Sequence, residues 1–329
     1  MILITKSELS IAEILAPAHD GLTAVEERMR EYGPDQHEEL TAALNHLQAS
    51  GGKRLRPAMA LLAAGIFAAD PDRAVSLAAA IEMLHTATLV HDDLIDGSLL
   101  RRGIPTLNAN WTPGATVLTG DYVFARAADL AAQTDSVRVM RIFARTLMML
   151  VNGEINQMFN GRGMASRDDY YRRIYSKTAS VFEAATEAGA VVGKANETQI
   201  TALAVFGREV GSAFQIVDDI LDFVGDPAHI GKPVGGDLRQ GLVTLPALYF
   251  IDEHPDDPDI KALLNGHMGD AEISARAVTA IRNSNAIPAS LDEARAFAAR
   301  GIAALDLLPA GAQVDSLRAI AEYVVSRDL

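Results

Sequence analysis

The chain has 329 residues, a formal net charge of -14 and no cysteine. The absence of cysteine excludes disulfides, thiolate metal sites and cysteine nucleophiles. The acidic balance argues against a nucleic-acid partner, because such a partner requires a basic surface. Hydrophobic residues make up 49% of the chain, which is enough material for one large core.

No targeting or membrane-spanning segment is predicted. The first ten residues, MILITKSELS, lack the basic region and long apolar stretch of a signal peptide. The longest apolar run, Pro57 to Ala69, has thirteen residues, whereas a membrane span needs about 20. We therefore expect a soluble, cytoplasmic protein, and the absence of cysteine fits a reducing compartment.

Helical patterning runs through nearly the whole sequence. Apolar residues recur at steps of three and four, as between Ala74 and Ile95, and good helix formers such as alanine and leucine are abundant. Glycine and proline interrupt the pattern at 51–52, 70–71, 103–105, 112–114, 161–163, 225–233 and 255–258. These features predict one all-α domain over residues 1–329, a large bundle whose central helices are apolar on most faces.

The first charged motif is GGKRLRP, residues 51–57, which has three cations within four residues beside two glycines. The glycines let backbone N–H groups approach an anion, and lysine and arginine supply charge and directed donors. We interpret the segment as an anion-binding loop. The alternative is a basic, solvated turn.

Two acidic motifs of the form D-D-x-x-D follow strongly apolar helical sequence, at 92–96 and 218–222. Residues four apart share a helix face, so Asp92 and Asp96 point the same way, as do Asp218 and Asp222. Carboxylates at the end of a buried helix are costly unless cations meet them, and hard oxygen ligands suit Mg²⁺ that also binds phosphate oxygens. Two facing rows thus predict a magnesium site, with solvated helix ends as the alternative.

The middle aspartates, Asp93 and Asp219, lie about 100° round the helix from their neighbours. We expect them to support the metal ligands. Further basic residues are found at Arg101-Arg102, Lys177 and Lys232. Their alternative explanation is compensation of acidic neighbours.

His85 precedes Asp92 by seven residues, two helical turns, on a similar face. If the magnesium site holds one diphosphate, His85 could donate a hydrogen bond to a second one. The alternative is that it is an ordinary core histidine.

These motifs together resemble the trans-prenyl diphosphate synthase family. In order they are GGKRLRP, HDDLID followed by RRG, GD at 120–121, KTA at 177–179, FQIVDDILD and GKPVGGDLRQG. The resemblance runs from about residue 51 to 248 and is closest to long-chain members such as octaprenyl diphosphate synthase. It implies an isoprenoid-synthase helical bundle with a deep central cavity, a homodimer, and condensation of isopentenyl diphosphate with an allylic diphosphate (farnesyl or geranylgeranyl) using about three Mg²⁺ ions.

The resemblance also implies roles for individual residues. The metal ligands are Asp92, Asp96 and Asp218, to which the helical spacing adds Asp222. The isopentenyl diphosphate ligands are Lys53, Arg56, His85 and Arg102. The allylic diphosphate ligands are Arg101, Lys177, Thr178, Gln215 and Lys232. The residues expected to act on the leaving diphosphate, and so to be catalytic, are Asp92, Asp96, Arg101, Lys177, Asp218 and Lys232.

Small residues before the first aspartate motif favour a long product. Ala87 and Thr88 lie about one turn before Asp92, where the family has a bulky aromatic residue in enzymes that stop early, and the motif carries no insertion. Deeper in the bundle, Phe143 is the candidate floor of the product tunnel. The expected product is C30 to C50. The alternative is that these side chains are ordinary core residues.

Three other functions remain in competition. One is a shorter-chain synthase making farnesyl or geranylgeranyl diphosphate. Another is a terpene cyclase, but a cyclase needs only one diphosphate site and typically has an Asn/Ser/Glu second motif, so GGKRLRP and the second D-D-x-x-D argue against it. The third is a non-catalytic prenyltransferase subunit, which the intact motifs disfavour.

Overall fold

The computed structural model describes residues 10–31, 37–49, 51–101, 103–160, 166–225, 234–264 and 270–326. The helices in these ranges are α1 (Ile11–Ile14), α2 (His19–Met29), α3 (Glu38–Ala49), α4 (Leu55–Gly65), α5 (Pro71–Ile95), α6 (Leu107–Asn110), α7 (Pro113–Ala132), α8 (Val137–Asn160), α9 (Arg167–Ile174), α10 (Ser180–Val192), α11 (Glu197–Val224), α12 (Gly236–Arg239), α13 (Leu245–Glu253), α14 (Pro258–Leu264), α15 (Ala271–Arg282), α16 (Ala286–Ala304) and α17 (Ala312–Ser326). Short 3₁₀ turns occur at Ala16–Ala18 and Leu305–Leu307, and a π-helical turn covers Tyr175–Ala179. The all-α prediction is confirmed.

A small hairpin was not predicted. Strand β1 (Leu100–Arg101) pairs antiparallel with β2 (Ile104–Pro105), and these are the only strands in the part of the chain that the structure describes. Gly103 lies between them at φ 77°, a conformation that side-chain-bearing residues rarely adopt. The hairpin follows α5 closely and therefore holds Arg101 next to the first aspartate motif.

The two helices that carry the aspartate motifs are the longest buried helices of the fold. Asp70 caps the start of α5 by accepting N–H bonds, and Asn196 starts α11 with a reciprocal capping box. Both helices are long and apolar enough to cross a membrane by composition. However, 72% of the most apolar window of α5 and 67% of that of α11 are buried in the protein. Core packing accounts for their apolar character.

The core is built around α5, α10 and α11. α5 packs along α4 and α7, α10 contacts α4 and α11, and α16 covers α11. Missing side chains permit the closest approaches: a Cβ at Gly207 would lie 2.4 Å from the carbonyl oxygen of Phe182, and one at Gly189 would lie 2.6 Å from that of Ala60. The buried side chains of α10 and α11 link neighbouring apolar clusters.

One face of the bundle remains apolar and exposed. We call this face the apolar stripe; its members on α7 and α8 are Val117, Leu118, Met148, Val151, Ile155, Met158 and Phe159. Phe159 is 80% exposed. The α8 members recur at helical steps of three and four, so they share one side of that helix.

Candidate functional site

Lys177 lies between the two aspartate-bearing helices. Its Nζ is 3.5 Å from Oδ2 of Asp92 on α5 and 3.0 Å from Oε2 of Glu154 on α8. Lys177 belongs to the π-helical turn between α9 and α10, and π-helical turns are often found at functional sites. Although burial opposes its charge, Asp92 and Glu154 raise the pKa of Lys177. The lysine is therefore held protonated beside the first aspartate motif.

The carboxylate of Asp92 is largely removed from water. Burial raises its pKa, Lys177 opposes that rise, and the nearby acidic groups Glu154 and Asp96 add to it. Asp96, the C-cap of α5, is exposed. Its position one helical turn after Asp92 puts both carboxylates on one side of the helix end, as predicted.

The residue after Lys177 contacts the second helix. The Thr178 hydroxyl donates to Oε1 of Gln215 at 2.6 Å, and the Gln215 amide donates to Oδ1 of Asp219 at 2.8 Å. The other oxygen of Asp219 accepts from the Tyr170 hydroxyl at 2.8 Å. This chain of hydrogen bonds fixes both ends of the Gln215 amide.

Asp219 is fully buried, and burial raises its pKa. Burial and the contact with Asp219 also raise the pKa of Tyr170 well above its usual value, so the phenol stays a donor. Asp219 thus orients its neighbours, which agrees with the supporting role expected for it.

Asp93, the middle aspartate of the first motif, holds Arg101. The Arg101 Nε lies 3.0 and 3.1 Å from the two Asp93 oxygens, and a second guanidinium nitrogen lies 2.8 Å from Oδ1. Such a forked pair fixes both the position and the plane of a guanidinium. Asp93 therefore orients a predicted allylic diphosphate ligand.

The Gly120-Asp121 pair supports the first motif from α7. A Cβ at Gly120 would lie 2.2 Å from Nε2 of His91, so the imidazole occupies the space that a side chain would fill. His91 Nε2 is also 3.6 Å from Oδ1 of Asp121. Glycine at position 120 thus lets α7 pack against the residue that precedes Asp92.

A cavity of about 560 Å³ opens beside these groups. The predicted site residues along its wall are Lys53, Arg56, His85, Arg101 and Asp218. Aromatic rings hold two of its cations: the Arg56 guanidinium lies 4.6 Å from the Phe182 ring centre, and the Lys53 ammonium lies 5.1 Å from that of Tyr323 on α17. The cavity joins the predicted isopentenyl diphosphate ligands to the second aspartate motif.

Asp222 has a different environment from the other predicted metal ligands. Its two carboxylate oxygens accept N–H bonds from Gly236 at 3.1 Å and Asp237 at 3.2 Å, at the start of α12. Its backbone carbonyl accepts a further bond from Gly235. Asp222 therefore anchors the segment after α11, and its metal role stays a prediction.

No group of three or more histidine or acidic side chains among the described residues is placed to hold a metal by itself. The donor set is nevertheless suited to Mg²⁺, which prefers carboxylate oxygens, keeps several waters and completes its shell with phosphate oxygens. Burial of the Asp92 carboxylate favours a nearby cation, and the turn that carries Lys177 and Thr178 contacts Asp92 on α5 and Gln215 on α11. The residues fit a metal that binds together with a diphosphate.

The chain-length candidates remain predictions. Ala87 is fully buried and packs in the same apolar cluster as Phe143, while the half-buried Thr88 donates its hydroxyl to the His85 carbonyl. On α5 the cavity wall contains Thr86 and Leu89. Two predicted diphosphate ligands, Arg102 and Lys232, lie outside the described residues.

Two contributors to the site were missed in the sequence. Glu154 sits in an ordinary helical stretch, and Tyr170 lies between Asp169 and a second tyrosine, Tyr171. Neither position has a spacing signal, because its partner is distant in sequence.

The chain is similar to known proteins in both sequence and structure. The polyprenyl synthetase family model matches residues 37–281. The chain is 39% identical over 315 residues to heptaprenyl diphosphate synthase component 2 of Geobacillus stearothermophilus (94% of this chain, 96% of the relative). It is 36% identical over 323 residues to nonaprenyl diphosphate synthase of Mycobacterium tuberculosis (97% and 96%).

Among solved structures, it is similar to polyprenyl synthase from Caulobacter crescentus complexed with calcium and isoprenyl diphosphate. That similarity has a TM-score of 0.91 and 35% identity, over 98% of this chain and 99% of the other. The family match and the full-length relatives show that this chain belongs to the polyprenyl synthetase family.

Proposed function

We propose that the protein is a magnesium-dependent trans-prenyltransferase that condenses isopentenyl diphosphate with an allylic diphosphate to give a C30 to C50 all-trans product. One observation carries the proposal: Lys177 contacts Asp92 on one aspartate helix, and Thr178 contacts Gln215 on the other. The similar heptaprenyl and nonaprenyl synthases support a long product. The allylic substrate would be farnesyl or geranylgeranyl diphosphate.

The allylic diphosphate would bind where the two aspartate rows meet. Arg101, Lys177 and the hydroxyl of Thr178 would hold it, with Gln215 fixing the hydroxyl and Lys232 completing the set. Asp92, Asp96 and Asp218, with Asp222 in support, would hold about three Mg²⁺ ions. Bound Mg²⁺ supplies Lewis-acid neutralisation of the leaving diphosphate.

Isopentenyl diphosphate would bind in the adjoining cavity. Lys53, Arg56 and His85 line it, and Arg102 would complete the clamp. Holding the second diphosphate there places its double bond close to the allylic carbon, which lowers the entropic cost of the encounter. Positive charge on Arg101 and Lys177 stabilises the diphosphate as the allylic C–O bond breaks.

Product analysis tests the proposal. We expect wild-type protein, incubated with labelled isopentenyl diphosphate, farnesyl diphosphate and Mg²⁺, to form products of C30 to C50. Asp92→Asn should reduce turnover by about two orders of magnitude or more, because a charged metal ligand is lost. Cyclised hydrocarbon would favour a terpene cyclase, a product that stops at C20 would favour a short-chain synthase, and no elongation would refute the proposal.

Ala87→Phe should shorten the product. An aromatic ring at this position would block chain growth along α5 within about one helical turn of the metal site. We expect the main product to shift to C20–C25 while consumption of isopentenyl diphosphate in the first condensation continues. Unchanged lengths would show that the chain grows elsewhere.

Ala78→Phe is the matched control. Ala78 is as completely buried as Ala87 but, nine residues earlier, faces the opposite side of α5. A phenylalanine at position 78 overpacks the core in the same way but does not enter the predicted path of the growing product. Product length should therefore not change. Circular dichroism establishes that both variants fold.

Glu154→Gln should weaken Mg²⁺ binding. Without the Glu154 carboxylate, Asp92 is the one acidic contact that Lys177 retains among the described residues, and the lysine competes with the metal for it. We expect the Mg²⁺ dissociation constant, measured by calorimetry with inorganic pyrophosphate present, to rise by about three- to tenfold. Glu197→Gln, which breaks an exposed ion pair with Arg138, is the control and should change nothing. Unaltered Mg²⁺ affinity in Glu154→Gln would contradict the proposed competition between Lys177 and Mg²⁺ for the Asp92 carboxylate.

The apolar stripe supports a homodimer. Exposed apolar patches on a soluble protein mark contact surfaces, and a two-fold dimer covers such a patch with its own copy. We therefore propose that two copies meet through α7 and α8. One similar protein is named component 2 of a heptaprenyl diphosphate synthase. The alternative partner is therefore a second, different chain.

Light scattering should give twice the chain mass for wild type and a monomer for the double variant Ile155→Asp, Met158→Asp. Leu307→Asp, an equally exposed apolar site in the 3₁₀ turn before α17, should remain dimeric. A monomeric wild type that fails to elongate would instead indicate a required second component.

Residues 1–329 would form a single, soluble, cytoplasmic domain. In support, α17 lies beyond the matched segment 37–281, yet it packs on α4 and α11 and supplies Tyr323 to Lys53. The relatives match over nearly their whole length.

A further inference from the structure

Arg54 has an unusual backbone conformation. It is the residue before α4, in the middle of the 51–57 motif, and lies at φ 49° and ψ 32°. Side-chain-bearing residues seldom occupy this left-handed region unless the surrounding structure holds them there. The conformation therefore needs a stabilising contact.

Two carboxylates supply that contact. One guanidinium nitrogen of Arg54 donates to Oε1 of Glu82 on α5 at 2.6 Å, and its Nε lies 3.5 Å from Oε1 of Glu26 on α2. The side chains of Arg54 and Glu82 are 17% and 9% exposed. A partly buried, charge-assisted bond of this kind fixes the loop against two helices.

The same pair lines the cavity assigned to isopentenyl diphosphate. Lys53 and Arg56 flank Arg54 in sequence, and His85 follows Glu82 by three residues on the same side of α5. All of these residues line the same cavity. The orientation of the loop relative to α5 therefore sets the spacing between the cations and His85.

The negative charge of Glu82 would be unfavourable at this position without a cationic partner. A carboxylate beside a diphosphate site repels the ligand. Its close bond to Arg54 offsets this repulsion, because the guanidinium places a positive charge 2.6 Å from Oε1 of Glu82. It also directs the Arg54 guanidinium toward acidic partners, leaving Lys53 and Arg56 as the cations assigned to the ligand.

We propose that Glu82 and Arg54 are a positioning pair that fixes the 51–57 loop for binding isopentenyl diphosphate, an inference that rests on the proposed function. Neither residue needs to contact the substrate. The pair acts through Lys53 and Arg56.

Glu82→Gln tests the proposal because a positioning role and a direct ligand role predict different changes in the KM for isopentenyl diphosphate. If the pair positions the loop, loss of the charged bond should raise the KM and the calorimetric Kd for isopentenyl diphosphate by about tenfold. The kcat and the KM for farnesyl diphosphate should stay within about twofold. If Arg54 were instead a direct diphosphate ligand, releasing it from Glu82 and removing a repulsive charge would leave the KM unchanged or lower it, and either result overturns the proposal.

A double-mutant cycle adds a second criterion. Arg54→Met and Glu82→Gln should each weaken isopentenyl diphosphate binding, and the double variant should be no weaker than Arg54→Met alone, because both remove one interaction. Additive losses would overturn the proposal. Asp72→Asn is the matched control: it breaks an ion pair between α2 and α5, with Arg28, at the far end of α5 and should leave binding unchanged.

Calorimetry separates this proposal from the proposed function. Binding of isopentenyl diphosphate alone requires no turnover. A wild type that binds it without elongation contradicts the proposed function but still tests the pair through Glu82→Gln. A wild type that elongates, with a Glu82→Gln variant that binds normally, contradicts the positioning pair only.

Discussion

The site depends on one electrostatic constraint: two helices must be apolar to lie in the core, yet both end in rows of carboxylates. Burial raises the pKa of Asp92 because an ionised carboxylate loses hydration there. Such a group stays charged only when positive charge lies next to it. In the described structure Lys177 provides that charge, and a metal with its diphosphate would provide more. The proposed affinity for Mg²⁺ and the stability of the helix ends would therefore both depend on this excess of buried negative charge.

The backbone that presents Lys177 follows from this constraint. Lys177 belongs to a π-helical turn, in which the register of side chains is shifted relative to an α-helix. α8 approaches this turn closely only because position 153 has no side chain: a Cβ there would lie 2.5 Å from the Ser176 hydroxyl. The approach brings the adjacent Glu154 against Lys177. A local helix irregularity, a glycine and an ion pair thus form one structural unit.

The fold class was predictable because it depends on local pattern, and the proposed location of the site rests on the same kind of pattern. Helices α3, α8 and α11 end beside the glycine-rich breaks at 51–52, 161–163 and 225–233, and the spacing of Asp92 and Asp96 gave their common face. The break between α15 and α16 has no glycine or proline and was not predicted. Two-residue strands are too short for alternation, so the hairpin left no signal. Glu154, Tyr170 and Glu82 act through partners far along the chain, which a single sequence does not reveal.

The middle aspartates of the two motifs have a different role from the one predicted for the outer aspartates. A helix separates adjacent residues by about 100°, so the second carboxylate of D-D-x-x-D cannot face the metal with the first. Asp93 and Asp219 are both buried, and each binds a group predicted to contact the allylic diphosphate: Arg101 in one case, Gln215 in the other. The outer aspartates are the predicted metal ligands, while the middle ones orient donors that are predicted to surround the diphosphate. We therefore expect the motif to specify both the metal ligands and the groups around the diphosphate, so that a substitution at a middle position disturbs substrate orientation before metal binding.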